Sequence, residues 1–424
     1  MKLQRDNSAF SSAFSTVTGL ASQRSIHTAF AWLHGNPKKI MDWQIELIGI
    51  PAPPFGEAAR TAWIATKFNE VGLANGTTDA IGNVFGLWPA ADQPRESTGP
   101  VIVLSAHLDT VFPADTPLDC VVSEDRIEAP GAMDNAAGVV GMLAVAQAIV
   151  AAALPVPVPI VFLANVGEEG EGDLRGIRHF YQQNPLASRI VAHIVLDGAG
   201  VESAVSSALG SRRYQITIKG PGGHSFTDAG TANPIAALSA ALVRLMQIEL
   251  PTEPRTTLNI GTIHGGTSVN SIPEEATASV DMRSTSTQQL TVLEVMLHRA
   301  VEDAVEEING LPLTLSESRK RTPLRFQIAT IGDRPAAELA EDSALLKTLR
   351  AVDRHLSLRT DLRLGSTDAN LPLSLGVPAI SLGAGGDGGG AHTRAEWYSA
   401  KNRELGLRRI LLFLSAVAEW AADQ

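Results

Sequence analysis

The chain has 424 residues, of which 44% are hydrophobic, and its formal net charge at pH 7 is −11. The length is enough for a sizeable core and two domains, and the negative charge argues against a nucleic-acid partner, whose phosphates require a basic surface. Cys120 is the only cysteine, which excludes an intrachain disulfide and is typical of a reducing compartment. The chain starts without the apolar stretch of a secretory signal, and we therefore expect a cytoplasmic protein.

The first hundred residues carry no chemical signal. Residues 1–35 indicate a frayed start followed by a helix, and residues 39–73 have helical spacing that breaks at a loop with three prolines. Residues 80–88 have the pattern of a strand. This part of the chain is therefore predicted to supply scaffold only.

The segment 101–110 begins with β-branched and aliphatic residues and ends in polar ones, which predicts a buried central strand. His107 and Asp109 share one face of this extended segment because residues i and i+2 point the same way. That spacing suits a metal-binding imidazole whose second nitrogen is held by a carboxylate. A strand-end pair that only caps a turn is the alternative.

Asp134 lies in a turn rich in glycine and proline, directly before the apolar stretch 138–154. It is either the N-cap of a helix or a metal ligand. A cap alone leaves Gly131 and Gly138 unexplained, since both suggest close approach of the backbone. A proline cluster follows the apolar stretch, whereas a membrane span needs roughly 20 uninterrupted apolar residues, so we predict a buried helix and no membrane contact.

Acidic residues also follow the next two predicted strands. Glu168 and Glu169 lie between glycines after the strand 160–166, and Asp197 ends the strand 190–196. Neighbouring carboxylates repel each other, so a site that gathers them implies a cation, with an exposed acidic loop as the alternative. His193 lies inside its strand and is interpreted as structural.

From residue 211 the predicted order is β-α-β-β-α-β, which is that of a ferredoxin-like sandwich. The strands are expected at 213–219, 256–263, 277–283 and 311–316, and the helices at 231–247 and 288–308. We therefore predict an α/β protein in which a first domain, residues 1–210 and 330–424, is interrupted by an inserted domain, residues 211–329. Two glycine-rich loops of the inserted domain expose His224 and Asn270.

The last part of the chain returns to α/β patterning. A helix is expected at 338–355, a polar turn at 364–370, a short strand at 379–382 and an amphipathic helix at 401–420. The glycine-rich loop 383–390 ends close to His392. Such a flexible loop is typical of a late ligand that is brought back to a site.

Taken together, six short motifs resemble the co-catalytic zinc exopeptidase family. That family includes peptidase T, glutamate carboxypeptidase, the cytosolic dipeptidases, aminoacylase and the acetylornithine and succinyl-diaminopimelate deacylases. The match extends in order from about residue 101 to residue 398. The motifs are Ser-Ala-His-Leu-Asp-Thr at 105–110, Gly-Ala-Met-Asp-Asn at 131–135, Gly-Glu-Glu-Gly at 167–170, Asp-Gly at 197–198, Gly-Gly-His-Ser at 222–225 and Ala-His-Thr at 391–393.

The resemblance implies a mixed-sheet catalytic domain with two metals and an inserted ferredoxin-like lid domain. Each ligand position of the family holds a suitable residue in this sequence. Zinc suits the nitrogen and carboxylate ligands, with manganese or cobalt as alternatives. Two metals about 3.5–4 Å apart hold a water as hydroxide and polarise the scissile carbonyl. The implied ligands are Asp134 as the bridge, His107 and Asp197 on one metal, and Glu169 and His392 on the other.

The resemblance also assigns roles around the metals. Asp109 orients His107, and Glu168 is the general base that takes the proton of the water and passes it to the departing amine, a role worth roughly 10²- to 10⁴-fold in rate. His224 helps to stabilise the oxyanion, in its own or a neighbouring subunit. The lid domain is often a dimerisation surface, so a homodimer is one expected partner.

Four further residues are implied to contact the substrate or line its pocket. Asn270 and Arg283 hold the polar end of the substrate, although for Arg283 a surface ion pair is the alternative. Ser366 and Thr367 line the substrate pocket beside the metals. In relatives the position of Ala136 is often lysine, a departure that bears on specificity and not on the metal site.

The implied activity is hydrolysis of amide bonds in short peptides, from the amino end. Aspartate at position 197 is similar to the aminopeptidases and dipeptidases, and residues 167–176 resemble peptidase T-like proteins. An N-acyl-amino-acid amidohydrolase is the alternative enzyme, with N-acyl amino acids as substrates. An inactive relative that binds peptides is a further alternative.

Overall fold

The computed structural model describes residues 2–89, 99–311 and 322–424. The helices are, in chain order, α1 (Lys2–Ala21), α2 (Arg24–Gly35), α3 (Pro37–Ile48), α4 (Ala58–Val71), α5 (Ala136–Ala151), α6 (Arg175–Gln183), α7 (Pro234–Met246), α8 (Thr287–Gly310), α9 (Ala344–His355), α10 (Asn370–Ser374) and α11 (Arg403–Ala421).

The strands are, in chain order, β1 (Ala74–Thr78), β2 (Val84–Trp88), β3 (Val101–His107), β4 (Val121–Ser123), β5 (Arg126–Glu128), β6 (Ile160–Asn165), β7 (Ile190–Leu196), β8 (Ser203–Ala208), β9 (Gly210–Lys219), β10 (Gly223–His224), β11 (Thr256–Gly265), β12 (Ser271–Ile272), β13 (Glu275–Ser284), β14 (Arg325–Arg334), β15 (Ala337–Glu338), β16 (Asp361–Gly365), β17 (Ala379–Leu382), β18 (Asp387–Gly389) and β19 (Trp397–Ser399). The chain divides into two compact units. The first comprises Met1–Ala208 and Glu338–Gln424, and the second comprises Leu209–Ala337.

A mixed sheet forms the centre of the first unit, with strand order β1-β2-β6-β3-β7-β17-β8-β15 and β16 beside β8. The four strands β6, β3, β7 and β17 are mutually parallel, and His107 at the end of β3 pairs with Asn165 at the end of β6. Parallel strands present their carboxyl ends at one edge of a sheet, which is where open α/β sheets bind ligands. The α/β class with a mixed sheet is therefore confirmed.

Buried helices cover this sheet. Every residue of β3 is buried, and so is nearly all of α5, which contacts α2, α3, α4 and α11. The apolar stretch after Asp134 is thus a core helix, as predicted. None of the helices in the described ranges is long and apolar enough to cross a membrane.

A small antiparallel sheet of the first unit, with order β18-β19-β5-β4, holds the late part of the chain beside an early part. Trp397 of β19 pairs with Glu128 of β5. The segment that follows β5 leads to Asp134, and the connection between β18 and β19 carries His392. This sheet therefore fixes two segments that are far apart in sequence against each other.

The second unit is a four-stranded antiparallel sheet, with order β11-β13-β9-β14, and two helices. Apolar residues of α7 and α8, among them Leu238 and Leu297, pack on Ile216 and Val280 of the sheet. The chain order is β-α-β-β-α-β, as predicted. The expected strand 311–316 lies, apart from Leu311, outside the described residues. The fourth strand of the described sheet is β14, and because β14 spans Arg325–Arg334, the boundary expected at residue 329 falls inside it.

Two element boundaries differ from the prediction for local reasons. The strand expected from residue 80 begins at Val84, because Asp79 Oδ1 accepts hydrogen bonds from the backbone N–H groups of residues 81–83 and closes a turn there. The helix expected from residue 338 begins at Ala344, because Ser343 caps it and accepts from the N–H of Leu346.

Candidate metal centre

The ends of the parallel strands bring the predicted ligands together. Nε2 of His107 lies 3.2 Å from Oδ1 of Asp134 and 3.8 Å from Oδ1 of Asp197. His107 is buried, as expected for the last residue of the central strand. The residues assigned to one metal by the resemblance are therefore neighbours in the structure.

The second group lies on the other side of Asp134. Nε2 of His392 lies 3.2 Å from Oδ2 of Asp134 and 3.0 Å from Oε1 of Glu169. Asp134 thus presents one carboxylate oxygen to each histidine. One ligand atom from each of His107, Asp134 and Glu169 fits within 4.8 Å of the others, a spacing that suits metal binding.

Asn135, not Asp134, caps α5. Its Oδ1 accepts from the N–H groups of Gly138 and Gly198, and its Nδ2 donates to the carbonyl of Leu196. The interpretation of Asp134 as an N-cap was therefore wrong. Asn135 also links the turn that carries Asp134 to the segment that carries Asp197.

Both glycines around this turn are needed there. A Cβ on Gly138 would lie 2.1 Å from Oδ1 of Asn135 and 2.6 Å from the carbonyl oxygen of Leu196. Gly131 has a φ of +75°, a conformation that favours glycine. The close approach predicted for Gly138 is confirmed, and the positive φ explains the glycine at position 131.

Asp109 holds the loop of the paired glutamates. Its two carboxylate oxygens accept from the backbone N–H groups of Glu168 and Glu169, at 3.0 and 2.8 Å. Nδ1 of His107 lies 3.1 Å from the carbonyl oxygen of Asp109 and 3.6 Å from its Oδ1. Asp109 therefore contacts the imidazole and fixes the glutamate loop at the same time.

The electrostatics follow from this clustering. Burial lowers the pKa of His107, but the nearby carboxylates of Asp109, Asp134 and Asp197 outweigh burial and raise that pKa well above its ordinary value. Hydrogen bonds to Asp134 and Glu169 raise the pKa of His392 to about 10. Burial raises the pKa of Asp134, yet the two histidines hold it below its ordinary value. The carboxylates therefore favour positive charge at both histidines.

The donor set fits metal ions. Imidazole nitrogen and carboxylate oxygen are ligands that zinc prefers. Oδ1 of Asp134 is buried and makes no hydrogen bond within the described part of the chain, although a buried acceptor ordinarily has a partner. An ion between Asp134 and His107 would satisfy this atom.

Glu396 is a site residue that sequence reasoning missed. It is fully buried, and its carboxylate accepts from the backbone N–H groups of Gly131, Met133 and Asp134 at 3.0, 2.8 and 2.8 Å. Burial raises the pKa of Glu396, against the effect of these donors. Because Glu396 follows His392 by four residues, it ties the His392 segment to the Asp134 turn. The only signal for this role in the sequence is that Glu396 lies four residues after His392.

Arg60 was missed as well. Its Nε and Nη1 donate to the carbonyls of Ile50 and Leu108, both at 2.8 Å. Burial lowers its pKa to about 10, while the charges of Asp109 and Glu396 oppose that shift. Arg60 is therefore a buried countercharge for the carboxylates that hold the site, and a helical arginine gives no sequence signal of this.

The polar turn after β16 lies in the first unit. The N–H of Thr367 donates to Oδ1 of Asn370, and Oγ1 of Thr367 accepts from the N–H of Ala369. Ser366 is partly exposed beside it. Asp368 is fully buried and accepts from Nδ2 of Asn165 at 2.7 Å, and burial raises its pKa to about 6. The turn is thus rigid, and contact of Ser366 and Thr367 with substrate stays a prediction.

The remaining predicted residues belong to the second unit. His224 is exposed in the short β10–β12 pair, and its Nδ1 accepts from the N–H of Phe226 at 3.2 Å. The carbonyl of Asn270 accepts from the N–H of Ser225, so these two loops are joined. Nε of Arg283 donates to Asp281 at 2.7 Å, which is the ion pair left as an alternative. Their roles towards substrate stay predictions.

Comparison with known proteins identifies the family. Residues 103–416 match the model of peptidase family M20/M25/M40. A probable carboxypeptidase of Aspergillus fumigatus is 29% identical over 299 residues, which is 63% of this chain and 66% of the relative, so the chain spans slightly less than two thirds of that relative.

Solved structures share the fold. A tripeptidase from Staphylococcus aureus has a TM-score of 0.71 at 21% identity, over 91% of this chain and 99% of that one. A dinuclear metal binding peptidase of the M20 family from Bacillus subtilis has a TM-score of 0.63 at 16% identity, over 91% and 99%. The resemblance drawn from the six motifs is confirmed, and the chain belongs to peptidase family M20/M25/M40.

Proposed function

We propose that this chain is a metal-dependent hydrolase that cleaves amide bonds of short peptides. The observation that carries the proposal is the position of Asp134, whose two oxygens lie 3.2 Å from His107 and 3.2 Å from His392. A carboxylate between two histidines on opposite sides is the arrangement that a two-metal site needs. The peptidase in Bacillus subtilis that shares the fold is described as dinuclear.

Five side chains would hold the metals, with zinc as the proposed ion and manganese or cobalt as alternatives. When bound, the ions supply Lewis acidity and lower the pKa of water. The five are His107 and Asp197, Glu169 and His392, with Asp134 between the two pairs. Three of them lie at or just after the ends of neighbouring parallel strands, and the segments of the other two are held by Asn135 and Glu396.

Glu168 is the proposed general base. Its backbone N–H is held by Oδ1 of Asp109, and its side chain is almost completely buried beside the ligand Glu169. A carboxylate oxygen of Glu168 takes a proton from the attacking water as the C–O bond forms. The same oxygen then gives that proton to the amide nitrogen as the C–N bond breaks, so protons balance over the cycle.

Short peptides are the proposed substrates, cleaved from the amino end. The Staphylococcus aureus protein that shares the fold is a tripeptidase. The resemblance drawn from the sequence, in which an aspartate at position 197 is typical of aminopeptidases and dipeptidases, favours the same end of the peptide. The fungal relatives are named probable carboxypeptidases, which favours removal of the carboxyl-terminal residue as a second candidate. Hydrolysis of N-acyl amino acids is the remaining enzymatic alternative, and a cytoplasmic location stays a prediction.

The second unit is proposed to serve as the lid, with His224 as an oxyanion donor and with Asn270 and Arg283 as substrate contacts. Within the described residues its strand β11 is an edge of the sheet and exposes Ile263, and the adjacent helix α7 exposes Val243 and Met246. An unpaired edge beside apolar residues is a surface that another chain can cover. This supports the proposed homodimer through the inserted domain.

The test is hydrolysis of a mixed panel of dipeptides, tripeptides and N-acyl amino acids by protein loaded with zinc, cobalt or manganese, followed by mass spectrometry. We expect loss of peptides that a chelator abolishes, with the first residue as product. Release of the last residue would favour the carboxypeptidase candidate. Turnover of acyl amino acids alone would refute the peptidase proposal.

The role of Glu168 is tested with Glu168→Ala, and with Glu171→Ala as the matched control. Glu171 is an exposed carboxylate on the same loop. We expect Glu168→Ala to keep both metals and to lose roughly 10²- to 10⁴-fold in kcat, while the control keeps its rate. Metal content is measured by mass spectrometry, and an unchanged kcat in Glu168→Ala would refute the general-base role.

A further inference from the structure

The proline-rich loop before α4 holds an aromatic side chain in an unusual conformation. Phe55 has a φ of +69° and is 67% exposed. It lies in a turn that the N–H of Gly56 closes with a 2.8 Å hydrogen bond to the carbonyl of Pro53. Turn positions with positive φ ordinarily hold glycine or asparagine, and a bulky residue there is strained. Among the described residues, Phe55 alone combines a positive φ with an exposed large apolar side chain.

Arg175 holds the ring in place. Its guanidinium lies 4.9 Å from the centre of the Phe55 ring, and its Nη2 lies 2.6 Å from both carboxylate oxygens of the buried Glu57. The backbone N–H of Arg175 donates to the carbonyl of Gly167, and a Cβ on Gly167 would meet the Arg175 stem at 2.5 Å. The support of Phe55 therefore packs directly against the residue before Glu168.

The same loop is tied to the segment that follows His107. The carbonyl of Ala52 accepts from the N–H of Thr110 at 2.9 Å. The buried Arg60 joins the carbonyls of Ile50 and Leu108, both at 2.8 Å. Phe55 is thus fixed from two sides to the segments that carry the proposed metal ligand and the proposed base.

We propose that Phe55 is a specificity-determining residue whose exposed ring contacts a large apolar side chain of the peptide. A single exposed apolar residue needs no explanation by itself. Phe55 needs one, because it is a strained residue that is held by the ion pair of Arg175 with the buried Glu57, in a loop tied to the segments of the proposed site. Strain of this kind persists only where the surroundings enforce it. This inference rests on the proposed function and names its substrate class, peptides with an aromatic or large aliphatic residue.

The experiment compares kcat/KM for Ala-Ala, Ala-Leu, Ala-Phe, Leu-Ala and Phe-Ala in wild type and variants. Phe55→Gly suits the left-handed conformation and keeps the fold, Phe55→Leu keeps an apolar side chain, and Val121→Ala is the control. Val121 is 62% exposed in β4. We expect Phe55→Gly to lose about 3- to 10-fold in kcat/KM on the apolar substrates relative to Ala-Ala, and Phe55→Leu to retain most of it.

The position of the apolar residue in the preferred dipeptide identifies which side chain meets Phe55. An equal change on all five dipeptides in Phe55→Gly would overturn the inference, because it would make the ring a structural residue only. If wild type hydrolyses none of them, the proposed function fails separately. Calorimetric binding of Ala-Phe and Phe-Ala then decides: binding weakened in Phe55→Gly supports the inference, and absent or unchanged binding overturns it.

Discussion

Replacement of Glu396 by glutamine should weaken metal binding more than any loss of stability explains. Glu396 accepts three backbone hydrogen bonds, two at Oε1 from Met133 and Asp134 and one at Oε2 from Gly131. In Glu396→Gln the amide oxygen keeps the two bonds at its position. The amide nitrogen instead faces the N–H of Gly131, so two donors oppose each other in a buried place.

The magnitude follows from these contacts. Two buried donors, the N–H of Gly131 and the amide of the new glutamine, are left without an acceptor, each worth about 1–3 kcal/mol. We therefore expect the free energy of unfolding of metal-stripped protein to fall by about 3 kcal/mol. Because Gly131 begins the turn that carries Asp134, we also expect zinc affinity to fall about 10- to 100-fold.

The assay measures zinc affinity by competition with a chromogenic chelator, and stability by urea unfolding of metal-stripped protein. Asp353→Asn is the matched control, since Asp353 is a buried carboxylate of the first unit that binds Arg409 and Thr360. It should lose comparable stability and keep its zinc affinity. Equal losses of zinc affinity in the two variants would refute the positioning role of Glu396.

Two further predictions concern the core around the site. His193 is buried between Tyr181 and Ser105, and burial lowers its pKa to about 3. Because the unfolded chain therefore binds the proton more tightly, the free energy of unfolding should fall by at most about 5 kcal/mol as the pH drops from about 6.5 towards 3. In urea unfolding at a series of pH values His193→Gln should show a weaker fall over this range, and a fall identical to that of wild type would refute the prediction. Gly138→Ala places a Cβ 2.1 Å from Oδ1 of Asn135 and should lower the free energy of unfolding by about 1–3 kcal/mol. The control Gly19→Ala, which has open space around its Cβ, should not destabilise the protein. Equal effects of the two substitutions would contradict the packing argument.

The clustering of the proposed ligands was predictable because each position has a local signal. His107, Glu169 and Asp197 each follow an apolar run that forms a parallel strand, and the carboxyl ends of such strands meet. His392 follows a glycine-rich loop whose pattern is equally local. The sequence therefore predicts both the sheet and the residues at its edge.

The supports were not predictable, because each depends on a partner distant in sequence. Glu396 meets residues 262–265 positions earlier, and Arg175 meets Glu57, 118 positions earlier. Neither pairing has a periodicity or a motif. The turn before Val84 was missed for a related reason, since the side chain of Asp79 closes a turn there and overrides the strand propensity of residues 80–83.

The supports explain how carboxylates are gathered before an ion binds, and they predict a measurable proton release. In protein stripped of metal, Asp134 and Glu169 raise the pKa of His392 to about 10, so His392 is protonated at neutral pH and offsets their charge. A raised histidine pKa stabilises the folded protein below the unfolded pKa of about 6.5, and this contribution is lost as the pH rises towards 10.

Zinc competes with these protons, because an imidazole must be neutral to bind it. With the pKa of His107 also raised, we expect the two histidines to release about two protons when zinc binds at pH 7.5, and zinc affinity to rise with pH. The release is measured with a pH indicator in weakly buffered solution at saturating zinc. His392→Gln should release about one proton fewer, while His34→Gln, which changes an exposed histidine of α2, should not differ from wild type. Unchanged release in His392→Gln would mean that the histidine is neutral before zinc arrives, and that the carboxylates are held together by their backbone donors alone.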